Sequence, residues 1–268
     1  MVQVQDVIDL FEQEGTWVDW QGKTRDHLLV GEELQEVKRI GVCWVASRYA
    51  VMEAIKQGID LIITHENPFY QCSTQMNTAA FKAANDKCQL LIKHHISVYR
   101  CHDVWDRLDE YGVADQWVKR LGFTKAASNS QSFYRLMNTD GQSLEKIACR
   151  ITHALSVDGE NGVYVFGDPN RRVKRLVSGT GAITNLYEML VYEPDAVIVS
   201  DDGVQTYDAA QYAVDHDLGM IVVNHAACEK AGLKAMVPWL RQRLGVKSIK
   251  YLDDGIRIRY YTNHLSSH

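Results

Sequence analysis

Short apolar runs that end in histidine or acid recur in both halves of this chain, and that repeat constrains the fold more than any other feature. In the first half Ile59-Asp60-Leu61-Ile62-Ile63-Thr64 ends in His65-Glu66. Ile96-Ser97-Val98-Tyr99-Arg100-Cys101 then ends in His102, with Asp106 four residues on. In the second half Ala196-Val197-Ile198-Val199-Ser200 ends in Asp201-Asp202. After it Leu218-Gly219-Met220-Ile221-Val222-Val223-Asn224 ends in His225, with Glu229 four residues on. Each run has the length and β-branched character of a buried strand. Helical segments separate them, so the order predicts βαβ units and a mostly parallel sheet.

The connecting segments carry their own signals. Val7, Ile8, Leu10 and Phe11 are spaced for an opening helix that closes near Gly15. Val37-Lys38-Arg39-Ile40-Gly41-Val42-Cys43-Trp44 reads as a strand, after which Ser47 can cap a helix that Gly58 ends. A helix from Ala79 to about His94 and another from Val113 to Gly122 complete the first half. The second half opens with a helix around Ser143–Ala148. There Val163-Tyr164-Val165-Phe166, the Gly167-Asp168-Pro169-Asn170 turn and Val173-Lys174-Arg175-Leu176-Val177-Ser178 together read as a hairpin. That last segment echoes Val37-Lys38-Arg39-Ile40-Gly41-Val42, and a closing helix is expected over Met236–Leu244. The fold class is therefore α/β: two similar, duplicated α/β/α halves with mostly parallel sheets, residues 1–124 and 125–268, and a metal site in the cleft between them.

Composition excludes several functions. A net charge of −5 gives no broad footprint for nucleic acid, and no apolar stretch reaches the roughly 20 residues that span a bilayer. The six cysteines, 43, 72, 88, 101, 149 and 228, form no C-x-x-C pair and read as reduced thiols, mostly in the core. The N-terminus lacks the basic start and apolar centre of a signal peptide, so a cytoplasmic location is expected.

In open parallel sheets, functional groups gather beyond the carboxyl ends of the strands. His65, Glu66, His102, Asp106, His225 and Glu229 all fall there. Residues four apart share a face if the segment is helical, so His102 with Asp106, and His225 with Glu229, can each offer an imidazole and a carboxylate to one point. Three histidines and three carboxylates suffice for two divalent metal ions, and mixed nitrogen and oxygen ligation suits Zn, Fe or Mn. Two such ions can activate a water and clamp a phosphoryl or carbonyl group. Asp201-Asp202 reads as a solvated turn or a supporting layer, and Gly179-Thr180-Gly181 as a tight turn. His94, His95 and His216 lie near helix ends, and His153, His264 and His268 suggest no site.

At Gly58–Pro68, His102-Asp103-Val104-Trp105-Asp106 and Val223-Asn224-His225-Ala226-Ala227-Cys228-Glu229 the chain resembles the Nif3-like dinuclear-metal family, labelled GTP cyclohydrolase 1 type 2 homologues. The resemblance runs from the opening helix to Leu244. It implies metal-ligand roles for His65, Asp106, His225 and Glu229, and places His102 in or beside the ligand set. It further implies a toroidal homohexamer. Glu66 stands where the family usually has a second histidine, which shifts preference toward oxygen-loving ions. Asn67 precedes the proline, Val104-Trp105 replaces Asn-Leu, and Trp44-Val45 occupies a place where Leu-Asp is common. The segment from Gly122 to Gln142 is too short for the inserted domain of longer relatives. Two functions follow: a metal-dependent hydrolase of a nucleotide-like or phosphorylated small molecule, with Glu66 handling protons, or a non-catalytic metal-binding, metallochaperone or regulatory hexamer.

Overall fold

The computed structural model describes residues 1–70, 78–126 and 132–261, so Cys72, His264 and His268 lie outside the described residues. In chain order it begins with α1 (Val4–Glu14), β1 (His27–Val30), β2 (Arg39–Val45), α2 (Arg48–Gln57) and β3 (Leu61–Glu66). Next come α3 (Ala79–Lys93), β4 (Ser97–Arg100), α4 (Asp103–Arg107), α5 (Val113–Arg120), β5 (Thr124–Lys125) and β6 (Arg135–Ser143). Then follow α6 (Leu144–Leu155), β7 (Tyr164–Phe166), β8 (Arg172–Ser178), α7 (Leu186–Met189) and β9 (Ala196–Ser200). The chain closes with α8 (Thr206–Asp215), β10 (Gly219–Val223), α9 (His225–Arg243) and β11 (Ser248–Tyr251). Two compact units result, one of Met1–Val113 with Gly232–Gly255, the other of Ala114–Ala231 with the segment from Ile256 onward. No helix among the described residues is long and apolar enough to cross a membrane.

The first unit holds a sheet of order β1-β4-β3-β2-β11, parallel throughout except for β1, which pairs antiparallel with β4. Strand alternation sorts its apolar residues onto two faces. Leu61, Ile63 and Tyr99 pack with α1 and the end of α9, whereas Ile62 and Val98 pack with Ala50, Ala54 and Leu91 of α2 and α3. On the first face Phe11 stacks on Tyr99 (5.7 Å) and on Trp239 (5.6 Å), and Trp105 meets Trp239 edge-on at 5.2 Å. Trp105 also donates its indole N–H to the Gly232 carbonyl (2.9 Å), so its one polar atom is satisfied in the core. Ser47 caps α2 by accepting from Ala50 N (3.1 Å), and Gly58 ends it at φ 61°, as the sequence predicts.

The second unit holds a sheet of order β5-β6-β8-β9-β10-β7. Its centre, β8-β9-β10, is parallel; β5 shares that direction, and β6 and β7 oppose it. Ile198 and Ile221 pack on Leu144, Ile147 and Ile151 of α6, while Val199 and Met220 pack on Leu186, Met189 and Ala213 of α7 and α8. The expected hairpin over Val163–Ser178 does not form. The chain does reverse, with Arg171 N donating to the Asp168 carbonyl (3.0 Å), but β7 pairs with β10 and β8 lies between β6 and β9. The turn residues encode the reversal, not the partner. The buried Val173, Leu176 and Val177 of β8 need a neighbour on each side. The closing helix is also longer than expected, since α9 starts at His225 and carries Pro238 within it.

One hydrogen-bond clamp recurs in both units. Asp60 Oδ2 accepts from the backbone N–H of Lys38 and Arg39, both at 2.8 Å. Asp195 Oδ2 accepts from those of Lys174 and Arg175 at 2.8 and 2.9 Å. The carbonyl of Asp60 accepts from Ser97 N (2.9 Å), and that of Asp195 from Gly219 N (3.1 Å). Counted from these clamps, His65 corresponds to Ser200, Glu66 to Asp201, and His102 to Asn224. The pairs that match by eye in the sequence are therefore displaced by one residue. Removing either clamp leaves two strand-entry N–H groups without their acceptor. Asp60→Ala and Asp195→Ala should each cost about 1–3 kcal/mol, read from urea unfolding; unchanged midpoints would contradict the clamp.

Candidate metal centre

The first unit gathers His65, Glu66, His102 and Asp106. β3 ends in His65 and Glu66, and β4 leads through Cys101 to His102, the residue that starts α4. The parallel pairing of β3 with β4 puts both strand ends side by side, and one helical turn brings Asp106 back over them. His65 is 0 % exposed. Its Nδ1 lies 3.2 Å from the Cys101 carbonyl and its Nε2 3.3 Å from Asp106 Oδ1. The His65 and His102 rings stack at 4.3 Å, within 4° of parallel. His102 Nδ1 is 3.1 Å from both Asp106 Oδ2 and Asp103 Oδ1, and its Nε2 is 3.6 Å from Glu66 Oε1. Glu66 Oε2 accepts from Arg100 (3.0 Å), whose Nε also donates to the His65 carbonyl (3.0 Å).

Ligand atoms of His65, His102 and Asp106 lie within 4.8 Å of one another, and this group could hold a metal ion. The donor set fits one. A carbonyl on Nδ1 fixes the His65 tautomer that leaves Nε2 as a lone-pair donor, the usual arrangement behind a ligating histidine. Burial pushes the Asp106 carboxyl up, but the charge and hydrogen bond of His102, with His65, outweigh it and hold Asp106 well below the usual carboxylate range. Burial likewise opposes the charged form of His102, and Asp106, with hydrogen bonds to Asp103 and Glu66, reverses it and lifts His102 well above an ordinary histidine. Both directions favour an ionised Asp106 beside a charged His102.

Two further residues shape this group without a signal in the sequence pattern. Asp26, 4 % exposed, accepts from the backbone N–H groups of His102, Asp103 (2.8 Å) and Val104 (2.8 Å), and so fixes the start of α4. Burial raises the Asp26 carboxyl despite those three donors. Arg100 ties Glu66 to the end of β3. Asp26 is 76 residues from His102, a separation no spacing rule can reveal.

The second unit brings together His225 and Glu229, one turn apart at the start of α9, with His225 Nε2 3.1 Å from Glu229 Oε1. Asp202 Oδ2 lies 2.9 Å from His225 Nδ1, and Asp201 Oδ1 accepts from His225 N (2.8 Å). Asp201-Asp202 is therefore the supporting layer that the sequence allows. Burial holds the Cys228 thiol well above its ordinary value, so it stays protonated and donates to the His225 carbonyl (3.0 Å). Gly181 does more than turn the chain. Its backbone sits at φ 63°, and a Cβ there would stand 2.1 Å from Glu229 Oε1 and 3.0 Å from His225 Nε2. Ser200 and Thr184 hydroxyls hold its carbonyl at 2.6 and 2.9 Å. His94, His95, His153 and His216 belong to neither group. Among the described cysteines Cys43, Cys101 and Cys228 are buried, Cys88 is partly buried and Cys149 is exposed.

Comparison with known proteins identifies the family and the fold. The family model described as Duf34/NIF3 (NGG1p interacting factor 3) matches residues 2–252. A Neisseria meningitidis protein named "GTP cyclohydrolase 1 type 2 homolog" is 22 % identical over 223 residues, covering 81 % of this chain and 84 % of that protein. Among solved structures, a Staphylococcus aureus hypothetical protein superposes with a TM-score of 0.79 at 18 % identity, covering 97 % of this chain and 99 % of the other. A Bacillus cereus protein related to NIF3 gives 0.79 at 13 % identity, covering 98 % and 99 %. These likenesses establish the fold.

The close approach at Gly181 has a built-in control. Gly122 has a similar φ of 69° but nothing within 4 Å of its would-be Cβ. Gly122→Ala should cost only the left-handed strain, about 1–2 kcal/mol. Gly181→Ala should lower the melting temperature further, because Glu229 must also move. Equal shifts for the two variants in calorimetry would mean that the glycine does not shape the His225–Glu229 pair.

Proposed function

From the premise that the chain belongs to the Duf34/NIF3 family, we propose that it is a divalent-metal protein acting as a hydrolase on a nucleotide-like or phosphorylated small molecule. The observation that carries this reading is the His65–His102–Asp106 group, with His65 and Asp106 buried and all donor atoms within 4.8 Å of one another. In this reading His65, Glu66, His102, Asp106, His225 and Glu229 hold two ions of the Zn, Fe or Mn type. Such ions, when bound, polarise a phosphoryl or carbonyl group and lower the pKa of water. The protein's own groups do the rest. Asp106 and the Cys101 carbonyl orient His65, Asp202 orients His225, and Asp26 fixes the backbone that carries His102. Glu66 Oε1, facing His102 Nε2 at 3.6 Å, is the carboxylate placed to move a proton. The name of the Neisseria meningitidis relative supports a nucleotide-like substrate.

One contact favours the second reading, a non-catalytic metal-binding or regulatory protein. Arg100 engages Glu66 Oε2 in an ion pair at 3.0 Å, so one oxygen of the carboxylate assigned as proton carrier is already spent on a structural contact. In either reading the family relationship supports a homohexamer, the scattered cysteines support a cytoplasmic location, and the repeated clamps support an ancestral duplication of halves 1–124 and 125–268.

Protein isolated without added metal should carry a divalent ion by elemental analysis. His65→Ala and Asp106→Asn should each weaken metal binding at least ~10-fold, as should Glu229→Ala. Metal content equal to that of the unaltered protein in all three variants would overturn the site. A nucleotide and phosphoester panel separates the two readings: turnover that chelation abolishes and Glu66→Gln reduces by ~10²-fold or more supports the hydrolase, and no turnover by the metal-loaded protein contradicts it.

A further inference from the structure

The second unit contains a cavity of about 510 Å³ at the end of β10 from which His225 emerges. Glu160, Tyr164, Asp201, Asn224, Arg259 and Tyr260 contribute to its wall. The antiparallel pairing of β7 with β10 sets Tyr164 opposite Val222, so this edge of the sheet forms one side. Tyr164 is 69 % exposed although it caps a sheet edge, and the neighbouring Tyr261 also lines the cavity and is exposed. Open tyrosine faces on a pocket wall are stacking surfaces for a planar ring.

Glu160 sets the polarity of the pocket. It is 4 % exposed, and its Oε1 accepts from the Tyr260 hydroxyl at 2.6 Å. Tyr260 OH also lies 3.1 Å from the Gly162 carbonyl, so the phenol is spent holding the carboxylate in place. The Tyr260 hydroxyl engages Glu160 Oε1, and Asp201 and Asn224 on the same wall are already held by donors of their own. Asp201 is bonded to His225 N, Asp202 N and Asn224 Nδ2, and Asn224 Oδ1 to Ala227 N. A largely buried carboxylate on a cavity wall is an acceptor for an N–H donor of a ligand. Beside aromatic faces, that donor is best supplied by a flat heterocycle with a ring N–H. Arg259 on the same wall can meet an anionic substituent of the ligand. The volume lies within the range that holds such a molecule.

We propose that this cavity is a binding site for a lactam-type nucleobase, one whose ring N–H is received by Glu160 while Tyr164 stacks on its face. Bases that present a ring nitrogen lone pair at that edge instead, as adenine and cytosine do, meet the carboxylate with repulsion. The site lies wholly within the second unit and needs no bound metal, so its test is separate from that of the metal centre.

The experiment is calorimetric titration of the full-length protein with inosine, guanosine, adenosine and cytidine. Inosine and guanosine should bind at least ~10-fold more tightly than adenosine and cytidine, since a hydrogen bond to a charged group is replaced by repulsion. Glu160→Gln should erase that preference while leaving metal content unchanged. Tyr164→Ala, at an exposed position, should weaken all four ligands by ~5-fold or more. Absence of binding, equal binding of the four nucleosides, or a preference that survives in folded Glu160→Gln would each overturn the proposal.

Discussion

A carboxylate buried against two stacked imidazoles is the constraint on which the rest of this structure turns. Asp106 and His65 are buried together, with His102 mostly covered beside them, and neither buried group could be taken out of water alone without a large desolvation cost. Their neighbours are arranged to hold them there. The Cys101 carbonyl fixes one ring, and Asp103 and Glu66 bracket the other. Asp26 gathers the three N–H groups that would otherwise point from the start of α4 without acceptors. Without a cation, such a cluster balances charge pairing against burial, and a bound cation would take over the role that the His102 charge plays beside Asp106.

The two units solve the same problem from different residues. Each starts its parallel core with an aspartate that clamps two N–H groups of the neighbouring strand, Asp60 in one and Asp195 in the other. Each also uses an aspartate to receive the backbone N–H of a histidine, Asp26 for His102 and Asp201 for His225. Yet the histidines do not fall at equivalent positions, for His102 corresponds to Asn224 and His225 to Asp103. The two units share these clamps, while the side chains at their strand ends differ by one residue in register. The shift still leaves His225 and Glu229 facing each other, because α9 continues directly from the strand and keeps positions four apart on one face.

Much of this was legible in the residues themselves. The βαβ order, the Ser47 and Gly58 helix ends, and the pairing of His102 with Asp106 and of His225 with Glu229 all follow from local spacing, whereas Asp202 reads equally as a solvated turn until the fold sets it against His225. What failed was non-local. A Gly-Asp-Pro-Asn turn showed that the chain reverses between β7 and β8, but strand partnership depends on which faces need covering, and β7 pairs with β10 instead. Asp26 and Arg100 act on the site through tertiary contacts, with no periodicity to mark them. Gly181 looked like an ordinary turn glycine, because the feature that matters is the distance from its absent Cβ to Glu229, a distance that only the folded chain defines.

The central claim is that the buried His65–Asp106 group binds a metal ion. Anomalous diffraction from crystals of protein purified without added metal, recorded at the Zn, Fe and Mn edges, tests it most directly. The account predicts a peak at about 2.0–2.2 Å from His65 Nε2 and from an Asp106 carboxylate oxygen. Well-ordered side chains at His65 and Asp106 with no peak between them, in crystals soaked in each metal, would contradict it.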